Sequence, residues 1–296
     1  MNNNKNVGLL LAIASPLFFA AFDVGLRLVT ADISVLGLVF IRGWVGLLIV
    51  WALISVGKQR LVFLRLRLLT VIGTITTLGS LGVATSITMI PLYQAVVILY
   101  LYPALTVVLG RLINAEVITP RTLILVLAAF IGCILLVWPD KTIGLEIRWA
   151  HGLALGGALC YALAFVLVKR LGQASGGLEP FFFFSLTGLL VAVLFSLLTG
   201  VGFGIDNLTE VFKGSALALL GALAQLTAYA ALKYLPPFKV GVIGTLEILC
   251  ATLASWLMFS DPLTIRAVIG GAMILTAVIG FQKRTKKVEE VCLGEL

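Results

Sequence analysis

Ile90–Thr119, IPLYQAVVILYLYPALTVVLGRLINAEVIT, aligns without gaps on Leu235–Thr264, LPPFKVGVIGTLEILCATLASWLMFSDPLT, at an offset of 145 residues. Pro91 falls on Pro236, Tyr93 on Phe238, Tyr102 on Glu247, Glu116 on Asp261 and Thr119 on Thr264. Just beyond the stretch, Arg121 falls on Arg266. Apolar sequences match one another by composition alone, so the weight rests on prolines and rare polar residues that recur at the same places in the hydropathy pattern. Further out, Gly8-Leu9 falls on Gly152-Leu153 at an offset of 144, a one-residue difference that a loop absorbs. The chain reads as one unit written twice.

With 61% hydrophobic and 11% charged residues, the chain is not composed like a water-soluble domain. Crossing about 30 Å of hydrocarbon takes roughly 20 apolar residues. Ten such spans are legible, at about 7–29, 33–57, 68–89, 92–113, 119–138, 149–171, 180–200, 211–233, 237–259 and 265–282. Five spans per half is an odd number, so the halves cross in opposite senses. The expected fold is therefore an all-α membrane protein, ten transmembrane helices arranged as two inverted five-helix repeats around a central cavity. Residues 1–140 form the first repeat, 150–282 the second, and 283–296 a charged tail expected to be disordered.

The net charge of +8 suggests nucleic acid until its distribution is read. Lys58, Arg60, Arg65, Arg67, Arg111, Arg121, Lys169, Arg170, Lys233 and Lys239 all lie at connections on one side, and Lys283, Arg284, Lys286 and Lys287 follow the last span. The opposite connections collect Asp32, Asp140, Glu146, Asp206, Glu210 and Asp261. By the positive-inside rule both termini are cytoplasmic in a multi-pass protein of the cytoplasmic (inner) membrane. Asp23 and Arg27 inside a long first apolar run argue against a cleaved signal peptide. Cys133, Cys160 and Cys250 lie within spans and Cys292 in the tail, which is no disulfide framework.

Pro16 and Pro103 fall inside spans, where each frees a carbonyl four residues earlier and is expected to kink its helix. Gly152-x-x-x-Gly156, Gly79-x-x-Gly82, Gly241-x-x-Gly244 and Gly270-Gly271 read as close helix packing within the chain. Trp44, Trp51, Trp138, Trp149 and Trp256 suit interfacial belts, and the run Phe181–Phe184 reads as lipid-facing.

Charges inside the bilayer are costly and are usually paired or functional. Glu247 stands nearest the midplane, as a protonatable group or as the partner of a substrate amine; the competing reading is a fixed ion pair with Arg42 or a hydrogen-bonded acid. Arg42 suits a structural pair or a substrate carboxylate, and Asp23 one turn from Arg27 suits a local ion pair or a second coupling carboxylate. At the repeat offset, Thr76 and Ser80 fall on Gly221 and Gln225, and Gln225 shares a helix face with Tyr229, so polar stripes at mid-depth are expected to wall a wet cavity. Tyr100, Tyr102, Tyr161 and Tyr229 lie too deep for belts and need partners for their hydroxyls. The candidate substrate-binding set is thus Glu247, Gln225, Tyr229, Tyr102, Tyr100, Thr76, Ser80, Tyr161 and Arg42, with Glu247 and Asp23 as coupling candidates. The lone histidine, His151, makes neither a triad nor a metal site, and no nucleotide, hydrolase or thiol motif occurs. No enzyme activity, cofactor or metal is expected.

Ile41-Arg42 in span two, Tyr102-Pro103 in span four, and the acidic-x-x-Thr ends Glu116–Thr119 and Asp261–Thr264 carry a resemblance. With the two five-span halves, the chain resembles the drug/metabolite transporter superfamily, specifically its ten-span EamA-type branch, over nearly its whole length. That branch commonly has Glu-Pro in span nine; here Ile248 follows Glu247, and Asp261 replaces the usual glutamate, which weakens any inherited kink in span nine. The resemblance implies that spans one to four and six to nine surround the cavity, with five and ten peripheral. It implies alternating-access export or import of small metabolites, often amino acids. The tyrosines and Glu247 lean this toward amphipathic amino acids or related amines, including aromatic ones, with export favoured. The partners expected are a small-molecule solute and membrane lipids, without nucleic acid; a monomer is expected and a dimer left open. Competing readings are a lipid or lipid-linked sugar flippase and a non-transporting membrane scaffold.

Overall fold

The computed structural model describes residues 2–29, 33–57, 61, 63, 65–90, 92–137, 148–171, 177–205, 207–259 and 264–293. Side chains are described over the same residues except 2–5, 27–29, 92–93, 137 and 281–293. Pro91 and Asp261, and the side chains of Tyr93 and Arg27, on which expectations above rest, lie outside this set, as does Trp138.

Among the described residues every regular element is helical: α1 (Asn2–Val29), α2 (Val35–Gly57), α3 (Leu66–Met89), α4 (Leu92–Leu99), α5 (Tyr102–Asn114), α6 (Pro120–Val137), α7 (Trp149–Leu171), α8 (Leu178–Thr199), α9 (Leu208–Leu232), α10 (Pro237–Gly244), α11 (Leu246–Phe259) and α12 (Ile265–Leu293). Helix is what lipid demands of an open chain, because it satisfies every backbone amide within its own segment. Eight stretches are long and apolar enough to cross a membrane, with α4–α5 counted as one and α10–α11 as another. Pro120–Leu136 and Ile265–Gly280, in α6 and α12, are apolar but shorter. α12 runs on from the last apolar span through Leu293, into the charged tail.

Local chemistry sets the ends. Asn207 caps α9 by accepting from the Glu210 amide at 3.0 Å while its own amide donates to Glu210 Oε1 at 2.7 Å, a reciprocal cap. α8 lies between two glycines in left-handed conformation, Gly177 (φ 88°) and Gly200 (φ 69°). A Cβ on Gly177 would also lie 2.7 Å from the Ala230 amide nitrogen, so this glycine admits α9 as well as turning the chain.

Two spans are interrupted at positions one repeat offset apart. Between α4 and α5 the Leu101 amide bonds back only three residues, to Ile98, and Pro103 supplies no amide at all. Between α10 and α11 the Thr245 amide and hydroxyl both donate to the Val242 carbonyl, at 3.1 and 2.6 Å. The second break thus arises with Ile248 and no proline after Glu247, where the Thr245 amide bonds back only three residues.

The helices pack α1 on α9, α3 on α7, and α2 on α8, with α3 also on α8 and α2 on α9. α5 rests on α7 as α11 rests on α1, and α6 packs chiefly against α12. Glycines set these crossings: a Cβ on Gly79 would lie 2.9 Å from the Cys160 Cβ, and one on Gly132 would lie 2.7 Å from the Gly270 carbonyl oxygen. Gly152 and Gly156 do not behave as expected, for both are exposed and nothing lies within 4 Å of a Cβ on either. The phenylalanine run is also corrected. Phe181, Phe183 and Phe184 are buried, because α8 turns this face toward α2 and α3 rather than outward. The exposed surface is apolar, with Leu112, Leu197, Leu198 and Leu257 facing outward, and Trp44, Trp51, Trp149 and Trp256 are exposed as belts require.

At the end of α5, Ala115 adopts a left-handed conformation (φ 53°) and the Glu116 amide closes onto the Gly110 carbonyl at 3.2 Å. Asn114 donates to the Val166 carbonyl of α7 at 3.0 Å, and Lys169 of α7 donates to the Leu232 carbonyl that ends α9 at 3.0 Å. The three helices are tied at one end by side chains that donate to carbonyls in or beside their last turns. Glu116 sits beneath Gly110 with Oε2 unpartnered among the described residues. Burial holds its carboxyl above the usual value of 4.5, against the opposing pull of Lys169 and of the Asn114 side-chain hydrogen bond.

A raised folded-state value favours the neutral acid in the fold. Its contribution is therefore present below 4.5 and is lost as pH rises through the raised value. Thermal unfolding of wild type and Glu116→Gln across that range is expected to show wild type losing ground to the variant as pH rises. Gly73→Ala, whose Cβ would lie 2.6 Å from the Phe183 backbone, is expected to cost about 1–3 kcal/mol. Gly152→Ala is expected to be neutral or to gain up to about 1 kcal/mol from helix propensity, read by the same melts.

Candidate functional site

The sequence placed its ionisable residues on separate spans, and the fold brings three of them into one interior region. Asp23 of α1 and Glu247 of α11 share a side-chain hydrogen bond. Tyr100, at the α4–α5 break, is hydrogen-bonded to Glu247. α11 reaches α1 because its span is interrupted at Thr245, which places Glu247 in the first turn of a new helix.

Arg42 of α2 lies within electrostatic reach of Asp23, Tyr161 and Tyr229. It does not form the ion pair with Glu247 considered above: among the described residues no carboxylate lies within ion-pair distance of its guanidinium. It stacks instead over the rings of Phe22, at 5.2 Å, and Phe184, at 5.7 Å. Gly221 makes this possible, since a Cβ there would lie 3.2 Å from Phe22 and 3.5 Å from the guanidinium carbon. The Asp23–Arg27 pair expected from helix spacing lies outside the described side chains.

The two polar stripes meet. Tyr229 Oη lies 2.8 Å from Thr76 Oγ1 and is also hydrogen-bonded to Gln225. Thr76 additionally donates to the Ile72 carbonyl at 2.7 Å. Thr76, Gln225 and Tyr229 are buried, so in this conformation they close on one another rather than line open water. Ser80 turns its hydroxyl to the Thr77 carbonyl, 2.9 Å away, and lines the cleft described below. Tyr102 spends its hydroxyl on the Gly241 carbonyl of α10 at 3.1 Å, bracing one broken span against the other. The rings of Tyr100, Tyr102, Phe165 and Tyr229 follow one another at 6.0, 5.8 and 6.4 Å between centroids, a continuous aromatic wall. His151 ties α7 to α4 through Gln94, 2.9 Å from Nε2.

A small, open-sided cleft with room for about one water lies between α2, α3 and α8, lined by Val39, Arg42, Gly43, Thr77, Ser80, Phe184, Ser185 and Gly188. Phe22, Phe165, Phe184, Thr77 and Ser185 were not singled out as site residues from the sequence. Phe22 beside Asp23 was the one available signal, since an aromatic next to an intramembrane charge is an obvious stacking partner. Nothing in the local sequence distinguishes Ser185 from a lipid-facing serine.

The EamA-like transporter family matches the chain twice, over residues 6–138 and 148–281. An uncharacterized transporter of Archaeoglobus fulgidus is 27% identical over 288 residues, covering 90% of this chain and 93% of that protein. A solved structure described only as the crystal structure of a protein superposes with a TM-score of 0.81 at 16% identity, over 92% of this chain and 97% of the other. At that identity the likeness is one of fold.

Tyr229→Phe removes a hydroxyl bonded on two sides, and is expected to destabilise by about 1–3 kcal/mol through the unpaired buried groups it leaves. In a double-mutant cycle of denaturant melts with Thr76→Val, the paired variant is expected to cost less than the sum of the singles.

Proposed function

Because the chain belongs to the EamA-like transporter family, and is thus a membrane transporter of small solutes, we propose that it moves amino acids or related amphipathic amines across the cytoplasmic membrane by alternating access, in the direction of export. The observation that carries this reading is the bond between Asp23 and Glu247. Ionised carboxylates have only acceptor oxygens, so a hydrogen bond between two of them holds a proton. An ammonium group entering there meets two acids and an aromatic wall, and displaces that proton as it binds. Binding a solute cation and holding a proton then exclude one another, which is the requirement for exchange. The candidate residues take roles accordingly: Glu247 and Asp23 couple, Tyr100 orients Glu247, and Tyr102, Tyr161, Tyr229, Gln225, Thr76 and Ser80 enclose the solute, with Arg42 opposite the acids.

The framework is two inverted five-helix repeats, with α6 and α12 as fifth and tenth spans and both termini cytoplasmic. The double family match supports the repeat. So does the exchange of contacts: α1 on α9 becomes α7 on α3 when the halves are swapped, and α11 on α1 becomes α5 on α7. The breaks at Leu101 and Thr245, close to one repeat offset apart, support it too. The basic residues at the ends of α5, α7 and α9, with the tail, support the orientation. Rocking of one half against the other breaks and remakes the Asp23–Glu247 contact. No chemical conversion of the solute is involved.

Glu247→Gln and Asp23→Asn are each expected to abolish the dependence of phenylalanine counterflow on a pH gradient in proteoliposomes, while the purified variants remain monodisperse. Unaltered pH dependence in both variants would remove the pair from the mechanism.

A further inference from the structure

Arg42 is a half-buried side chain whose five guanidinium donors are left unspent. Among the described residues it stacks on Phe22 and Phe184, but no carbonyl, hydroxyl or carboxylate accepts a hydrogen bond from it. A cation so placed in a membrane interior needs a counter-charge, and the nearest acid, Asp23, is already bonded to Glu247. Arg42 lines the small open-sided cleft between α2, α3 and α8. The same cleft is lined by Ser185, whose Oγ is a buried hydroxyl without a partner. That oxygen faces Gly46 of α2, where a side chain of any size would collide with it. Thr77 is held by Thr187 at 2.9 Å and Ser80 by the Thr77 carbonyl, so the free donors of the cleft are those of Arg42 and Ser185.

We propose that this cleft is the receptor for the substrate's carboxylate, with Arg42 as its fork and Ser185 as a supporting donor. The inference rests on the transport reading above and narrows it. The ammonium sits at Asp23–Glu247 and the carboxylate at Arg42, so the substrate is a zwitterionic amino acid and not a simple amine. One guanidinium answers one negative charge through its planar fork, and a doubly charged phosphate would leave its second charge without a partner. The apolar part of the substrate lies against the neighbouring rings. Arg42 and the acids stand on helices of α1, α2 and α11, so a zwitterion bridging them draws these helices together where an amine does not.

The test uses the purified full-length protein, with L-phenylalanine, phenylethylamine and 3-phenylpropionate as binding probes, and Arg42→Gln, Arg42→Lys and Ser185→Ala as variants. Arg42→Gln is expected to weaken L-phenylalanine by about tenfold or more while leaving phenylethylamine unchanged. Arg42→Lys, which keeps the charge and loses the fork, is expected to fall between and guards against a misfolded Gln variant. Ser185→Ala is expected to weaken L-phenylalanine less than Arg42→Gln does. Sodium acetate at matched ionic strength is expected to raise the melting temperature of wild type above chloride, inorganic phosphate is not, and Arg42→Gln removes the acetate shift. Equal loss of the amine and the amino acid in both Arg42 variants overturns the proposal, as does an acetate shift that survives Arg42→Gln or a larger shift with phosphate. If wild type binds none of the three aromatic probes, the amino-acid reading fails, and the acetate shift still decides the Arg42 site by itself.

Discussion

Lipid offers no hydrogen bonds, so each polar group that enters the bilayer must be answered from within the protein. The interior follows from that constraint. Asp23 is answered by Glu247, Glu247 also by Tyr100, Tyr229 by Thr76 and Gln225, and Tyr102 by the carbonyl of Gly241. Most of these bonds join residues far apart in the chain, so they hold the helices in register as well as satisfying themselves. Loss of one partner strands the other in a medium where an unpaired polar atom is expensive. Function and stability are consequently hard to separate by deletion, and conservative variants such as Glu247→Gln are the informative ones.

The breaks in the α4–α5 and α10–α11 spans are the second consequence. A continuous helix carries side chains outward from a closed backbone, whereas an interrupted one frees carbonyls and starts a fresh helix in the interior. Thr245 and the Leu101 turn do this by bonding back three residues, and Glu247 gains its place in the first turn of α11. Tyr102 then bonds the carbonyl that the second break leaves available. The rigid parts of the bundle are the glycine-set crossings of α3 on α7 and α6 on α12, where side-chain volume is absent and backbones touch. A packed frame with two interrupted spans is consistent with the alternating access proposed above.

Much of this was legible without coordinates. The apolar runs, their boundaries and the membrane class follow from hydropathy summed along the chain. The intramembrane Asp23, Arg42 and Glu247 stood out because charges there are costly, and the structure gathers all three into one interior region. Partner choice was not legible. Glu247 meets Asp23 and not Arg42, Arg42 stacks on rings, and the phenylalanines near Phe184 face inward where composition suggested lipid. Gly152 and Gly156 mimic a packing motif and touch nothing, while Gly73, with no motif around it, lies against the Phe183 backbone.

The primary structure by itself determined that the chain is a helical membrane protein, where its helices run and which rare groups they carry into the bilayer. These are properties of short windows, read residue by residue. Only the tertiary structure decided which faces meet, because a helix turns about 100° per residue and its rotation is set by distant contacts. A glycine on one helix and a backbone on another choose whether a phenylalanine sees lipid or an arginine, and that choice is written in no local stretch of sequence.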